Sequence, residues 1–241
     1  MKTKDWFTDW FNTPYYHILY KDRNDNEAQQ FIKKITEFLS LPKNATLLDL
    51  PCGKGRHSVF LNSLGFKVIG ADLSENSIQH ARNFENENLK FIVQDMREPL
   101  HKKYDAVFNL FTSFGYFKED KEDILVLQNI KNCLKEDGFF VFDFLNADFV
   151  KSTLVSEEIK IVENIEFHLK REIIDGFILK YISFISDEET HFFTEKVKYL
   201  DVKKIKSFFE KAGLKIVHIF GDYQLHPFDE KHSKRLILVA K

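Results

Sequence analysis

Between Ala28 and Leu39 the apolar residues Phe31, Ile32, Ile35, Phe38 and Leu39 recur at helical spacing, and Pro42 and Asn44 end the pattern. A continuous apolar run from Leu47 to Leu50 then predicts a short buried strand. A helix follows through His57, Val59, Phe60, Leu61 and Leu64, with Gly65 placed as its C-terminal cap. Lys67 to Ala71 reads as a second strand ending at Asp72, and Ser74 is positioned to cap a helix through Ile78 and Ala81. Leu89 to Val93 and Tyr104 to Phe111 are two more strands. A helix from Lys121 to Leu134, capped by Asp120 and followed by Gly138, leads to a fifth strand, Phe139 to Phe144. Strands alternating with helices, each strand apolar throughout, predict an open parallel sheet covered on both faces.

The pattern changes after Asn146. Lys160 to Ile174 and Phe177 to Ile185 read as extended, and the Asp175-Gly176 pair between them is a hairpin signal. His191 to Leu200 is a further strand-like run, so antiparallel material is inserted into an α/β chain. Helical spacing returns from Val202 to Ala212 and stops at Gly213. Leu214 to Phe220 and Arg235 to Ala240 are the last strands, joined by the polar loop from Gly221 to Lys234. The expected divisions are 1–45, 46–148, 149–200 and 201–241.

Composition narrows the function classes. Of 241 residues, 44% are hydrophobic and 30% charged, ordinary values for a soluble globular chain. The formal net charge of −2 provides no global basic field for a nucleic-acid partner. Most of the 26 phenylalanines are expected in the core. Cys52 and Cys133 make neither a disulfide framework nor a metal-ligand pattern, and His226 and His232 stand apart from other ligand types, so no metal is expected. The opening MKTKDWFTDWF lacks a secretory apolar core and no stretch approaches a membrane span. A cytoplasmic location without a membrane partner is the expectation.

Candidate chemistry begins at LLDLPCGKGRHS, where a strand runs into a turn containing Pro51, Cys52, Gly53 and Gly55. The glycines permit positive φ and close approach of a ligand to the backbone. Ligands of parallel α/β sheets bind at the carboxyl ends of the strands. Asp49, Asp72 and Asp95 each end one of three successive strands. The spacing from Asp49 to Asp72 matches the ~20 residues at which a nucleoside-binding βαβ unit places its ribose acid. A dinucleotide fingerprint would need glycine at position 58, where this chain has Ser58. An acid at position 49 repels a pyrophosphate and favours a cationic ligand.

LLDLPCGKGRHS, followed in order by VIGADLS, FIVQDMR, YDAVFNLFTSFGYF and GFFVFDF, and closed by GLKIVHIFGDY and SKRLILVAK, resembles the class I S-adenosylmethionine-dependent methyltransferases. The resemblance implies a Rossmann-like, doubly wound α/β sheet of seven strands with the last strand antiparallel, here with an inserted antiparallel β lid. Pro51 stands where the family commonly has its first glycine.

The resemblance assigns Asp49, Gly53 and Gly55, with Pro51 and Cys52 in the same turn, to the methionine end of S-adenosylmethionine. It assigns Asp72 to the ribose and Leu73, Asp95 and Met96 to the adenine, with Arg97 beside them. Asn109 and Phe111 fall next to the sulfonium. Tyr20 and Arg23, in an aromatic and basic N-terminal stretch, are candidates for the cofactor carboxylate. Tyr116 is placed to face donor and acceptor. His191 is the acceptor-side histidine, with His168, His226 and Tyr223 as further groups. The expected activity is in-line methyl transfer to nitrogen or oxygen of a small molecule, by a monomer or homodimer, leaving S-adenosylhomocysteine. A non-catalytic cofactor-binding subunit and a nicotinamide-dependent oxidoreductase are the alternatives.

Overall fold

The computed structural model describes residues 6–21 and 25–241. The chain opens with α1 (Trp6–Trp10), α2 (Pro14–Leu19) and α3 (Asp25–Phe38). The alternating part follows as β1 (Thr46–Asp49), α4 (Arg56–Ser63), β2 (Lys67–Asp72), α5 (Glu75–Ala81), β3 (Leu89–Val93), β4 (Tyr104–Asn109), α6 (Asp120–Cys133) and β5 (Leu134–Leu145). After α7 (Ala147–Ser152) come β6 (Glu157–Val162), β7 (Ile165–Ile174), β8 (Phe177–Ser186) and β9 (Glu189–Lys198). The chain closes with α8 (Val202–Lys211), β10 (Ile216–Phe220) and β11 (Arg235–Ala240).

The main sheet has seven strands in the order β10-β11-β5-β4-β1-β2-β3. β1 to β5 are parallel, and β11 lies antiparallel between β5 and β10. Strand order reverses between β1 and β4, which fixes the ligand crevice at their carboxyl ends. Alternate residues of each central strand feed opposite cores. Leu48, Val107, Phe140, Phe142 and Leu238 pack towards α6 and α8, against Leu127, Ile130 and Phe209. Leu47, Ala106, Phe108, Val141 and Val239 pack towards α3, α4 and α5, against Phe31, Ile35, Leu61 and Ile78. Burial on both faces explains the unbroken apolar runs.

The insert is a separate four-stranded antiparallel sheet, β6-β7-β8-β9. Its inner face packs Phe167, Leu169, Ile182 and Phe184 on Trp10 and Leu19 of the first two helices. Lys160 to Ile174, expected as one run, is folded at Glu163 and Asn164, both at positive φ. Asp187 and Glu188 turn the last hairpin in the same way. The start of α6 also differs from expectation. Glu119 is the cap, in a reciprocal capping box with Glu122, so Asp120 is already helical. Gly138 lies within β5, where a Cβ would come within 2.9 Å of the Tyr104 carbonyl.

Candidate active site

Leaving β1, the chain passes a cis Leu50-Pro51 bond. The Cys52 amide then donates to the Ala71 carbonyl at 2.9 Å, tying the turn to β2. The two glycines of this turn do different work. Gly53 has φ +54° and open space where a Cβ would stand, and it lines a hollow of about 580 Å³ above the strand ends. Gly55, at φ +85°, begins α4, and a Cβ there would sit 2.6 Å from the Phe91 ring. It is a packing glycine of the α4–β3 contact and is not part of the hollow's wall.

Asp72 accepts the Gly53 amide at 2.8 Å on one oxygen and the Ser74 amide at 2.8 Å on the other. Burial holds its carboxyl above the usual range, against those bonds. It lines the hollow. Asp49 is buried beneath the turn and accepts the Ser58 hydroxyl at 2.6 Å. Burial pushes its carboxyl up to about 7; the Asp72 charge adds to this and the Ser58 bond opposes it. Cys52, buried in the turn, lines the hollow together with Pro51, and burial raises its thiol well above the usual value.

The third acid is placed differently. Asp95 is gripped by Arg97 through Nη2 at 2.7 Å and Nε at 3.1 Å, and Arg97 continues to Glu122 at 3.1 Å and over the Phe117 ring. Met96 packs against the core on the α6 side. Leu73 is exposed. None of these four residues lines the hollow. Asn109, fully buried at the end of β4, donates to the Leu50 and Ser113 carbonyls at 2.8 and 3.1 Å and so fastens the β4 end to the β1 end.

Phe111 and Thr112 wall the hollow with φ of +58° and +64°. The Phe111 ring stacks on His57 with centroids 4.6 Å apart. Tyr116 also lines the hollow, donates to the Thr112 carbonyl at 2.7 Å and meets the edge of Trp6. Behind them lies an ion pair outside the site residues expected from the sequence, in which Asp143 is fully buried and Arg235 also lines the hollow. Asp143 of β5 accepts the Phe111 amide at 2.8 Å and Nε of Arg235 at 2.8 Å, and Arg235 donates onward to the Thr112 hydroxyl at 2.9 Å. A lone acid inside the apolar GFFVFDF was the available signal, since a buried charge requires a partner.

The opposite wall comes from the inserted sheet: Arg171, Ile178, Lys180, Glu195 and Val197. Glu195 accepts the Tyr20 hydroxyl at 2.6 Å and the Trp10 indole N–H at 2.8 Å, and Lys180 donates to the Tyr20 oxygen at 2.7 Å. Tyr20 therefore lines the hollow with its hydroxyl already engaged by the lid. Arg23 lies outside the described residues. His191 sits in the lid core between Tyr15 and Phe184, with ring centroids 4.8 and 4.9 Å away, and does not reach the hollow. His168 pairs with Glu166 on the lid's outer face, and His226 pairs with Asp222 in an exposed loop. Tyr223 is half-buried behind Phe111 against Phe31, where desolvation raises its phenol. Among the described residues no cluster of acids, histidines or cysteines could hold a metal, and no helix is long and apolar enough to cross a membrane.

The profile of a methyltransferase domain matches residues 41–213. YqeM of Bacillus subtilis, itself only provisionally named a methyltransferase, is 35% identical over 108 residues, 43% of this chain and 44% of that protein. A glycine/sarcosine N-methyltransferase of Parasynechococcus marenigrum is 26% identical over 84% of this chain and 73% of its own length. The chain spans about half the length of the first curated relatives it matches. An S-adenosylmethionine-dependent methyltransferase of known structure from Clostridium acetobutylicum superposes with a TM-score of 0.79 at 21% identity, covering 94% of this chain and 95% of that one. At that identity the likeness is one of fold.

Proposed function

Because this chain belongs to the S-adenosylmethionine-dependent methyltransferase family, we propose that it transfers the methyl group of that cofactor to a small-molecule acceptor. One observation supports this reading above others. Gly53, with nothing where a Cβ would project, and Asp72, fixed by two backbone amides, stand side by side on one wall of the hollow. That wall suits a nucleoside: an open backbone for close approach and an oriented carboxylate for two ribose hydroxyls. Asp49, one layer below, adds negative charge under a ligand that carries an ammonium and a sulfonium.

When bound, S-adenosylmethionine supplies a methyl group already activated by the sulfonium. The chain's own contribution is alignment and exclusion of water, which in favourable cases is worth about 7–11 kcal/mol. Phe111 and Tyr116 offer ring faces to a cation, at roughly 0.5–2 kcal/mol each. In this reading residues 46–148 hold the cofactor, 149–200 form the lid over the acceptor, 201–241 complete the sheet, and the segment before residue 46 caps the hollow. The lid encloses the acceptor space, which favours a small molecule. The name of the Parasynechococcus relative points to an amine.

Calorimetric titration with S-adenosylmethionine and S-adenosylhomocysteine is the first test, followed by transfer of labelled methyl to a panel of small amines. Binding of both is expected; binding of neither overturns the reading. Asp72→Ala should lower affinity about 10- to 100-fold, the range for loss of bonds to a charged group, without unfolding the chain.

A further inference from the structure

Phe111 and Thr112 are consecutive residues with side chains in the left-handed region, at φ +58° and +64°. That conformation is sterically unfavourable for any residue with a Cβ and most of all for a β-branched one such as threonine. A pair of this kind persists only where surrounding contacts over-determine it. Here four bonds do so. Asp143 takes the Phe111 amide on its carboxylate at 2.8 Å and the Thr112 amide on its backbone carbonyl at 3.0 Å. Arg235 holds the Thr112 hydroxyl at 2.9 Å, and Tyr116 holds the Thr112 carbonyl at 2.7 Å.

The clamp is built for rigidity. Asp143 is fully buried and its other oxygen receives Nε of Arg235 at 2.8 Å. The two residues come from neighbouring antiparallel strands, where Asp143 faces Ile237, two positions from Arg235. Tyr223 closes the cluster with its hydroxyl 3.3 Å from Asp143 and its ring under the Arg235 guanidinium.

We propose that the Asp143–Arg235 pair is a positioning device that holds the Phe111–Thr112 step in its left-handed conformation and thereby sets the wall that Phe111 and Tyr116 present to the hollow. This use of the pair rests on the cofactor reading above. Asp143, fully buried, acts through Phe111 and Thr112 and is a positioning residue; Arg235 positions Thr112 in the same way while also lining the hollow. If the clamp is lost, only the fraction of molecules that still adopt the native step binds well, and the apparent affinity falls by that fraction.

Two substitutions at one position separate the possibilities. Thr112→Val removes only the hydroxyl that Arg235 grips and keeps the β-branched resistance to positive φ. Thr112→Gly removes the same hydroxyl and the resistance with it. The clamp predicts that Thr112→Val weakens S-adenosylmethionine binding about tenfold, and that Thr112→Gly, which loses the same hydroxyl from the wall, weakens it at least about threefold less than Thr112→Val does. Equal loss in both would make the hydroxyl a ligand contact, and no loss in either would make the pair purely structural; both results overturn the proposal. Hydrogen exchange at the Phe111 amide, read without ligand, should quicken about tenfold in Thr112→Val and in Asp143→Asn and change little in Thr112→Gly. This readout stands even if the unaltered protein binds neither S-adenosylmethionine nor S-adenosylhomocysteine. Unchanged exchange in Thr112→Val rejects the clamp, whereas absence of binding rejects only the cofactor reading.

Discussion

The two walls of the hollow are made by different means. On the strand-end wall, Gly53, Asp72 and Ser74 meet through backbone amides of adjacent turns, so short stretches of chain determine the geometry. The wall from the inserted sheet depends on side chains far apart in sequence: Trp10 and Tyr20 reach Glu195, and Lys180 reaches Tyr20. The first wall is preorganised by the fold. The second depends on how the inserted sheet is seated on the core, to which a buried ion pair contributes. Lys198, at the end of β9, donates to Asp123 at 2.6 Å and Asp120 at 2.9 Å, and its amide holds the Gly115 carbonyl.

Breaking that seat should have the largest effect. Lys198→Ala leaves the fully buried Asp123 without its cation, a loss of about 3–5 kcal/mol. Burial pushes the Asp123 carboxyl up to about 6, with Lys198 opposing the shift. An acid whose folded value is raised contributes stability at low pH that is lost as pH rises through that value. The variant should therefore be closer to the unaltered protein at pH 5 than at pH 8. Urea unfolding at the two pH values checks this; an equal deficit at both would mean that Asp123 is not the group left exposed to the loss.

On the other wall the contrast sharpens within a single turn. Gly55→Ala drives a methyl to 2.6 Å from the Phe91 ring at φ +85°, and should destabilise by about 2–4 kcal/mol from conformation and overpacking together. Gly53→Ala meets open space, so only the conformational part remains, about 1–2 kcal/mol. Its methyl instead projects into the hollow and should weaken cofactor binding. Thermal unfolding and calorimetry on the pair check this; equal destabilisation would erase the distinction between a packing glycine and a ligand-facing one.

The same contrast explains what could be read from the sequence. The strand-end wall was legible because its signals are local: an apolar run, a glycine turn and an acid at the expected interval. In the antiparallel insert the extended runs from Phe177 to Ile185 and from His191 to Leu200 were legible, but of its turns only Asp175-Gly176 carried a signal, because the other two hairpins turn on Glu163-Asn164 and Asp187-Glu188, which carry no glycine. Long-range partners carry no spacing signal. Arg235 lies far along the chain from Asp143, and nothing near Glu195 announces Trp10 or Tyr20. Asp95 satisfied the strand-end pattern, yet Arg97, two residues on, closes onto it. His191 satisfied a chemical expectation, yet the alternation along β9 places it with Phe193 on the packed inner face, against Tyr15 and Phe184.

The smallest predicted effect concerns pH on the strand-end wall. Asp49 has its carboxyl near 7 because it is buried, with the Asp72 charge adding and Ser58 opposing. Its proton is held more tightly in the folded chain than in the unfolded one. The stability it contributes is complete below the ordinary carboxylate range and is lost as pH rises through about 7. A cationic ligand above the turn acts in the opposite sense, because it favours the ionised form and expels the proton on binding. Affinity for S-adenosylmethionine should rise between pH 6 and pH 8, by at most about tenfold over the whole interval, while stability without ligand falls over the same interval. Asp49→Asn should flatten both trends, since its amide oxygen still accepts the Ser58 hydroxyl but nothing titrates. Titrations in buffers of different ionisation enthalpy would register the released proton directly. Affinity that is level across this range in the unaltered protein would mean that the charge beneath the turn is not felt by the ligand, and that geometry alone governs the strand-end wall.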